Sequence, residues 1–365
     1  MKVFIFFTSI FILLACEETS IDTKKNVPTG RSITDYASHF ELIEFGENHL
    51  LHFMNPESGE IELRFLLSSD INVSKKGYTN ITTPTSKLIT LSGTSIGMLS
   101  KIKMTDQVVG VSNKNYIYNP SIIKRLNSGD VIEVGEESNL PLETIIQVKP
   151  EIILYSGFGS EYPGSKKLKS LNILSIPIYD WRETHPLGKA EWIKLFGALT
   201  NRKKEADAYF SAVESSYFEL KEKATQLNSN PTVMSGNLLG DTWYTPNGDS
   251  FVAQMIKDAH ADYKYKHTHG TGSHQLSLEE IIKDNSKTEY WINPGLPTKD
   301  EILRANEKLK YIHPINRGTY CYSKNSNRFW ELSAIEPHHV LSDFIKIFHP
   351  DSAITDSLYF YDLVK

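Results

Sequence analysis

The chain has 365 residues, of which 40% are hydrophobic, and its formal net charge is −5. This length exceeds what one hydrophobic core usually serves, so two domains are expected. The charges are spread along the chain without a basic run, which argues against a nucleic-acid-binding protein.

The first sixteen residues have the composition of an export signal. Lys2 is followed by a short apolar run and then by Ala15 and Cys16. The run is too short to span a bilayer, so residues 1–15 are predicted to be a signal peptide. Leu13-Leu-Ala-Cys16 resembles the lipobox of bacterial lipoproteins, in which cleavage precedes a cysteine that carries the lipid. Cys16 is therefore the predicted lipidation site, and a plain signal peptide with an incidental cysteine is the alternative.

Two different segments follow the predicted signal peptide. Residues 16–38 are polar and lack periodicity, as expected for a flexible, lipid-anchored tether. Residues 39–85 alternate apolar and polar side chains around two turn signals, Glu44 to Asn48 and Asn55 to Gly59. This pattern predicts a small antiparallel β extension. No function is assigned to it from the sequence.

An N-terminal α/β lobe is predicted for residues 86–187. Its strands are short apolar runs that end in Gly, Ser, Asn or Asp: KLITLSG, DQVVGVS, DVIEVG, EIILYSG and ILSIPIYD. The turn from Ser92 to Ser95 precedes a helix, where free backbone N–H groups can hold an anion. Its spacing matches neither a P-loop nor a dinucleotide fingerprint, and a helix capped by Ser92 or Thr94 is the alternative.

A bridging helix is predicted for residues 188–230, because apolar residues recur there in steps of three and four over about 26 residues, or about 40 Å. A C-terminal α/β lobe is then predicted for residues 231–350. Its expected strands are TVMSG, EYWIN, KYIHPI and TYCYS, and EPHHVLSDFIKIFHPD is its expected closing helix. Residues 351–365 are assigned to a C-terminal tail.

One phrase occurs twice in the chain. LPLETIIQVKPEIIL, residues 140–154, is echoed by LSLEEIIKDNSKTEYWI, residues 276–292. In each copy a short amphipathic helix leads into a β-rich stretch and then a glycine, which is the repeating unit of a parallel α/β sheet. The repetition predicts two similar lobes.

Two α/β lobes joined by one long helix, behind a lipoprotein signal, resemble the substrate-binding proteins of ABC importers that carry ferric siderophores, haem or cobalamin. The resemblance rests on VVGVS, LPLETIIQVKPEIIL, TWYTPNGDSFVAQMIKDAHADY and FWELSAIEPHHVLSDFIKIFHPD. The chain departs from the family pattern where Pro337 is followed by His338 and His339.

The resemblance implies a fold like that of class III periplasmic binding proteins, with the small β extension added. It implies a metal chelate as ligand, no cofactor, and partners in an ABC importer permease and its ATPase. It also implies a monomer anchored by lipid in the cell envelope, on the periplasmic side. In this family an exposed glutamate on each lobe meets arginines of the permease, and the matching positions here are Glu143 and Glu279. The alternative is that a glutamate near a helix start is favoured by the helix dipole.

The ligand is expected in the cleft between the lobes, where strand-end loops converge. Aromatic faces suit a large planar or catecholate ligand, and an arginine suits its negative charge. For each aromatic residue, packing in the core is the alternative. The candidate ligand-binding residues are Tyr116, Tyr118, Phe158, Trp181, Arg182, Asn237, Trp243, Tyr244, His274, Arg328 and Trp330.

Two features of the sequence bear on other function classes, the histidine-rich loop and the lack of catalytic motifs. His267, His269 and His274 lie close together, and imidazole binds Zn, Fe and Cu, so direct metal-ion binding (Zn, Fe or Mn) within an ABC importer is the rival function. A flexible glycine-rich segment separates them with no carboxylate at a recognisable interval, so no metal site is assigned. The chain lacks the common catalytic motifs, and no enzyme activity is expected.

Overall fold

The computed structural model of the chain describes residues 30–137, 141–157, 164–322 and 328–365. The predicted signal peptide, the lipidation site Cys16 and the candidate ligand contact Phe158 lie outside these ranges. Within them, no helix is both long and apolar enough to cross a membrane. The fold is mixed α/β with two α/β lobes, a long helix between them and a small N-terminal β sheet, so the predicted fold class is confirmed.

The N-terminal sheet contains five strands: β1 (Arg31–Ser32), β2 (Phe40–Phe45), β3 (Asn48–Met54), β4 (Ile61–Ser68) and β5 (Thr79–Thr82). They lie in sequence order, the first four antiparallel and β5 parallel to β4. Buried Phe40 packs 4.6 Å from Trp192, ring centre to ring centre, so the sheet shares a core with the segment after the first lobe.

Part of the segment predicted as a tether, residues 16–38, is fixed to the body of the protein. The fully buried carboxylate of Glu191 accepts hydrogen bonds from the backbone N–H groups of Asp35, Tyr36 and Ala37 at 2.9, 2.7 and 2.8 Å. These bonds fix the segment before β2 to the body of the protein. Such a long-range contact leaves no periodic trace in the sequence, so composition alone placed this segment in the tether.

The first lobe contains five parallel strands: β6 (Leu88–Thr90), β7 (Val108–Val111), β8 (Ile132–Glu133), β9 (Ile152–Tyr155) and β10 (Leu174–Pro177). Its helices are α1 (Gly93–Lys101), α2 (Pro120–Ser128), α3 (Leu142–Val148) and α4 (Ser165–Ser170). The strand order is β10-β9-β6-β7-β8. The direction of winding therefore reverses between β6 and β9, and a crevice forms beyond the carboxyl ends of strands at such a point.

Three helices connect the lobes: α5 (Pro186–Glu191), α6 (Ile193–Thr200) and α7 (Lys203–Thr225). The 23 residues of α7 make a rod about 34 Å long. Its buried residues are Ala206, Phe210, Val213, Tyr217 and Ala224, all members of the predicted apolar stripe. The chain breaks before α7 because Asn201 adopts a left-handed conformation at the end of α6. The predicted bridging segment is thus one long helix preceded by two short ones.

The second lobe contains β11 (Thr232–Ser235), β12 (Asn237–Leu239), β13 (Thr242–Pro246), β14 (Asp262–Tyr263), β15 (Ser273–Ser277), β16 (Tyr290–Ile292), β17 (Thr319–Tyr322) and β18 (Tyr361–Leu363). Its main sheet has the order β14-β11-β16-β17-β18, and β12, β13 and β15 form a separate antiparallel sheet. Its helices are α8 (Phe251–Asp258), α9 (Leu278–Asp284), α10 (Lys299–Ala305), α11 (Phe329–Leu332) and α12 (Pro337–Phe348). Winding reverses between β11 and β16, as it does in the first lobe.

Two predicted elements of the second lobe differ from the structure. KYIHPI is not a strand but falls in two 3₁₀ turns, Glu307–Tyr311 and His313–Asn316. Pro314 has no N–H to give a strand ladder and suits the start of such a turn. The predicted tail contains β18, which pairs antiparallel with β17. Its approach is fixed by the buried carboxylate of Asp343, which accepts the backbone N–H groups of residues 359–361.

The repeated phrase has the same structure in both copies. Helix α3 leads to β9 and Gly157, and α9 leads to β16 and Gly295. Both glycines have positive φ, 60° and 81°. A Cβ on Gly157 would also approach the ring of Tyr179, so that position requires glycine on two counts. The predicted duplication of a helix–strand unit is confirmed.

Candidate ligand-binding cavity

The two reversal points face one cavity of about 640 Å³ between the lobes, called here the interlobe cavity. The first lobe and α5 contribute Ser92, Thr94, Ser156, Asp180, Trp181, Pro186 and Lys189. The second lobe contributes Phe251, Val252, Met255, Asn293, Tyr322, Phe329, Trp330, Ser333, Ala334, Pro337, Val340, Phe344 and Tyr361. The first set is mainly polar and the second mainly apolar, so the cavity has two unlike walls.

The apolar wall is an aromatic cluster around α11. The rings of Tyr322 and Phe329 stack with their centres 4.2 Å apart and an interplanar angle of 6°. Trp330 meets both of them edge to face, at 5.1 and 5.4 Å. Its side chain nevertheless remains 49% exposed, and Trp181 on the opposite lobe is 39% exposed. One indole from each lobe is therefore available to cover a planar ligand.

The polar wall is centred on Asp180 and Lys189. Asp180 is only 3% exposed, and burial raises the pKa of its carboxyl group. The charge of Lys189, the Thr94 hydroxyl and the backbone N–H of Trp181 oppose that rise in the pKa. The Lys189 ammonium lies 3.8 Å from the centre of the Phe251 ring. Burial lowers the pKa of Lys189, and the charge of Asp180 opposes that shift. Two opposite charges thus lie on the polar wall of the cavity.

The turn from Ser92 to Ser95, which the sequence predicts to be an anion site or the start of a capped helix, contributes residues to the polar wall. Ser92 precedes α1 but makes no side-chain cap. Its hydroxyl lies 2.8 Å from that of Thr94, and both residues line the cavity. They therefore supply neutral hydrogen-bonding groups beside the Asp180 carboxylate.

The two arginines predicted to meet a ligand's negative charge are engaged by glutamates of the chain. Arg182 pairs with Glu57 of the β3–β4 turn and lies 4.8 Å over the Trp181 ring. The Nε of Arg328 donates to Oε2 of Glu331 at 2.7 Å. Neither arginine belongs to the cavity lining, but each lies directly next to an indole that does.

Of the predicted ligand contacts in the described ranges, the structure brings Trp181 and Trp330 together at the interlobe cavity. The others lie outside its lining: Tyr116, Tyr118, Arg182, Asn237, Trp243, Tyr244, His274 and Arg328. Trp243 is fully buried, with its ring 5.4 Å from that of Trp291, which fits the core-packing alternative. Its strand β13 pairs with β12 and β15 in the antiparallel sheet and not at the edge of the parallel one.

Several cavity residues are not among the predicted ligand contacts. Asp180 is the last residue of ILSIPIYD and Tyr322 is the last but one of TYCYS, so both carry the signal of a polar or aromatic residue at a strand's carboxyl end. Lys189 and Phe251 carried no such signal, because they lie on helices that the fold alone brings together.

The two predicted docking glutamates lie in the first turns of the duplicated helices. Both are exposed. Lys308 donates to Oε1 of Glu279 at 3.1 Å, and this hydrogen bond lowers the pKa of Glu279. The neighbouring Glu280 forms a capping box with Ser277. Glu280 therefore has a structural role at the helix start, whereas Glu143 and Glu279 point their charges to the surface.

The histidine-rich loop is not organised as a metal centre. His269 is almost wholly exposed, and its Nδ1 lies 3.8 Å from Asp249. Across residues 30–137, 141–157, 164–322 and 328–365, no three His, Cys, Asp or Glu side chains converge as ligands for an ion.

The chain is similar to known proteins in both sequence and fold. A family model described as periplasmic binding protein matches residues 88–312, more than half of the chain. An uncharacterized lipoprotein of Methanocaldococcus jannaschii is 27% identical over 92% of this chain and 88% of its own. A periplasmic binding protein from Veillonella parvula has a similar fold (TM-score 0.61, 14% identity, 88% of this chain and 99% of that one). So does a periplasmic haem-binding protein of Vibrio cholerae (TM-score 0.56, 15% identity, 70% and 96%).

Proposed function

The chain belongs to the periplasmic binding protein family, and on that basis we propose that it captures a metal chelate in the interlobe cavity and delivers it to an ABC importer. Its fold is of the class III type, and the family consists of substrate-binding transport proteins rather than enzymes. The proposed ligand is an iron–siderophore, haem or cobalamin-type chelate. The proposed receiver is the importer's permease with its ATPase.

The aromatic wall of the interlobe cavity is the observation that carries the proposal. A volume of about 640 Å³ lies within the range of about 300–1,000 Å³ of small-molecule sites. The exposed indoles of Trp181 and Trp330 both line one cavity, and apolar surface gathered in a concave site is typical of a ligand-binding site. A macrocyclic or aromatic chelate offers a matching flat, apolar surface.

The rival function, direct binding of Zn, Fe or Mn ions, gains no comparable support. A bare ion needs several imidazole, thiolate or carboxylate ligands at one point. Among the described residues that line the interlobe cavity, Asp180 is the one carboxylate, and there is no histidine or cysteine. The lining of the interlobe cavity is therefore suited to an ion that is already bound by an organic chelator.

Location and delivery are part of the same proposal. A lipid on Cys16 would hold the chain in the cell envelope, on the periplasmic side, and the polar segment after it would act as the tether. Glu143 and Glu279 would dock the two lobes onto the permease. Exposed charges such as these influence orientation and association rate more than affinity.

A binding screen tests the proposal directly. Haemin, cyanocobalamin and several ferric siderophores are titrated into the purified chain, with tryptophan fluorescence and calorimetry as readouts. We expect saturable binding of at least one chelate, and Trp330→Ala should weaken it about tenfold, or about 1.4 kcal/mol. Tyr311→Ala is the matched control, because Tyr311 is an exposed aromatic residue outside the cavity. Absence of binding to all the chelates contradicts the proposal.

A further inference from the structure

The carboxylate of Asp180 is buried, and one of its oxygens accepts no hydrogen bond from the described residues. This oxygen is Oδ2, which is itself buried and has no hydrogen-bond partner in the described part of the chain. Asp180 is 3% exposed and lines the interlobe cavity. A buried acceptor without a partner is costly, so native proteins rarely keep one unless a ligand or solvent completes it.

The charges around the cavity do not favour an anionic ligand. Asp180 and Lys189 are the two charged residues among the described lining, and their formal charges cancel. The nearby cations are each paired with a carboxylate of the chain: Arg182 with Glu57, Arg328 with Glu331 and Lys101 with Glu336. An anion moved from water into an apolar cavity requires uncompensated positive charge, which this lining does not supply.

We infer that the chelate is uncharged at its buried end and presents an amide there, with its N–H donating to Asp180 Oδ2 and its C=O accepting from the Lys189 ammonium. This inference rests on the proposed function. An amide fits because it carries both a donor and an acceptor without net charge. Two kinds of chelate supply it: a corrin ring with carboxamide side chains, and a peptide-based ferric trihydroxamate.

The test compares neutral and anionic probes on the full chain. The neutral amide-bearing probes are cyanocobalamin and a peptide ferric trihydroxamate, and the anionic probes are haemin and a ferric tris-catecholate. We expect one neutral probe to bind at least tenfold more tightly than either anionic probe. If no probe binds, the proposed function fails together with the inference, whereas tightest binding of an anionic probe overturns the inference alone.

Substitutions then assign the effect to the polar wall. In Asp180→Asn an NH2 group takes the place of Oδ2, so a donor would face the ligand's donor. We expect affinity for the neutral probe to fall at least tenfold, as for a hydrogen bond to a charged group, and affinity for haemin to rise relative to it. Lys189→Met keeps the apolar stem and should also weaken the neutral probe.

Asp106→Asn, a change at an exposed aspartate of the first lobe, is the matched control and should leave every affinity unchanged. Thermal unfolding checks the fold of each variant. Asp180→Asn leaves the buried Lys189 charge without its counter-charge and should lower the midpoint, so binding is measured at a temperature at which the variant is folded. If Asp180→Asn and Lys189→Met both fold and bind the neutral probe within twofold of the parent chain, the inference is wrong.

Discussion

Replacing Glu331 tests the contact that joins the lobes beside the cavity. This fully buried residue of α11 accepts the backbone N–H groups of Tyr118 and Asn119 on Oε1, at 2.7 and 2.9 Å. Its Oε2 accepts from Nε of Arg328 at 2.7 Å. One carboxylate thus ties the loop before α2 in the first lobe to the aromatic wall in the second.

The size of the effect follows from which bonds each substitution removes. Glu331→Gln can keep an oxygen toward the two N–H groups but turns an NH2 toward the arginine, so one charge-assisted bond is lost, about 1.5–3 kcal/mol. Glu331→Ala also leaves both N–H groups and the guanidinium without their acceptor, and about 3–5 kcal/mol is expected for breaking a buried pair. The order parent, Gln, Ala should therefore appear in the free energy of unfolding.

Urea unfolding of the purified chain, followed by far-UV circular dichroism and by tryptophan fluorescence, measures the difference. The control is Glu205→Gln, because Glu205 forms an exposed pair with Arg202 at 2.9 Å and such pairs contribute about 0–1 kcal/mol. If Glu331→Gln destabilises the chain no more than the control does, the buried tie has no energetic role and the reasoning is refuted.

Three further predictions concern anchoring, docking and pH. Cys16→Ser should leave the chain soluble or uncleaved in cell fractionation, and mature-length protein still on membranes would contradict the lipid anchor. Glu143→Arg and Glu279→Arg should each impair chelate uptake by cells, most when combined and less at high salt, without changing affinity in vitro; intact uptake would remove the docking role. Burial raises the pKa of Asp343 to about 6, above its ordinary value of 3.8, so the native state keeps this proton to higher pH than the unfolded chain does. Its contribution to stability should therefore fall as pH rises from about 4 to about 6, and Asp343→Asn should flatten that part of the thermal-midpoint profile, whereas an unchanged slope would contradict it.

The order of strands and helices is largely predictable because each element has its own local pattern of apolar and turn residues. The parallel strands are short Val, Ile and Leu runs closed by turn residues, and the α7 stripe repeats at helical spacing. KYIHPI has a similar composition but contains Pro314, whose effect on a strand ladder the apolar pattern does not show. The strand prediction for KYIHPI is therefore wrong because the missing N–H of Pro314 prevents the strand that its apolar neighbours would favour.

The candidate site was less predictable because its members converge only in three dimensions. Trp243 and Trp330 are the same residue type in similar aromatic surroundings, yet one is packed against Trp291 and the other is half exposed at the cavity. Trp243 lies on β13, which pairs with β15, whereas Trp330 follows β17, which pairs with β16. The pairing of strands that are distant in sequence cannot be predicted from the residues around either tryptophan. Polar and aromatic residues at strand ends are the useful signal in the sequence, and Asp180 carries this signal although it is not among the predicted ligand contacts.

The N-terminal sheet lies outside the span that matches the family model, yet it contacts the cavity through a short chain of interactions. Glu57 in its β3–β4 turn pairs with Arg182, and that guanidinium covers the Trp181 ring. The indole N–H of Trp181 in turn donates to the backbone oxygen of Ser156 at 2.6 Å. Trp181 is therefore held from two sides, by the β9 edge of its own lobe and by the added sheet. A planar ligand that stacks on this indole needs it fixed in one orientation, so the sheet contributes to the site by restraining a residue that it does not itself supply.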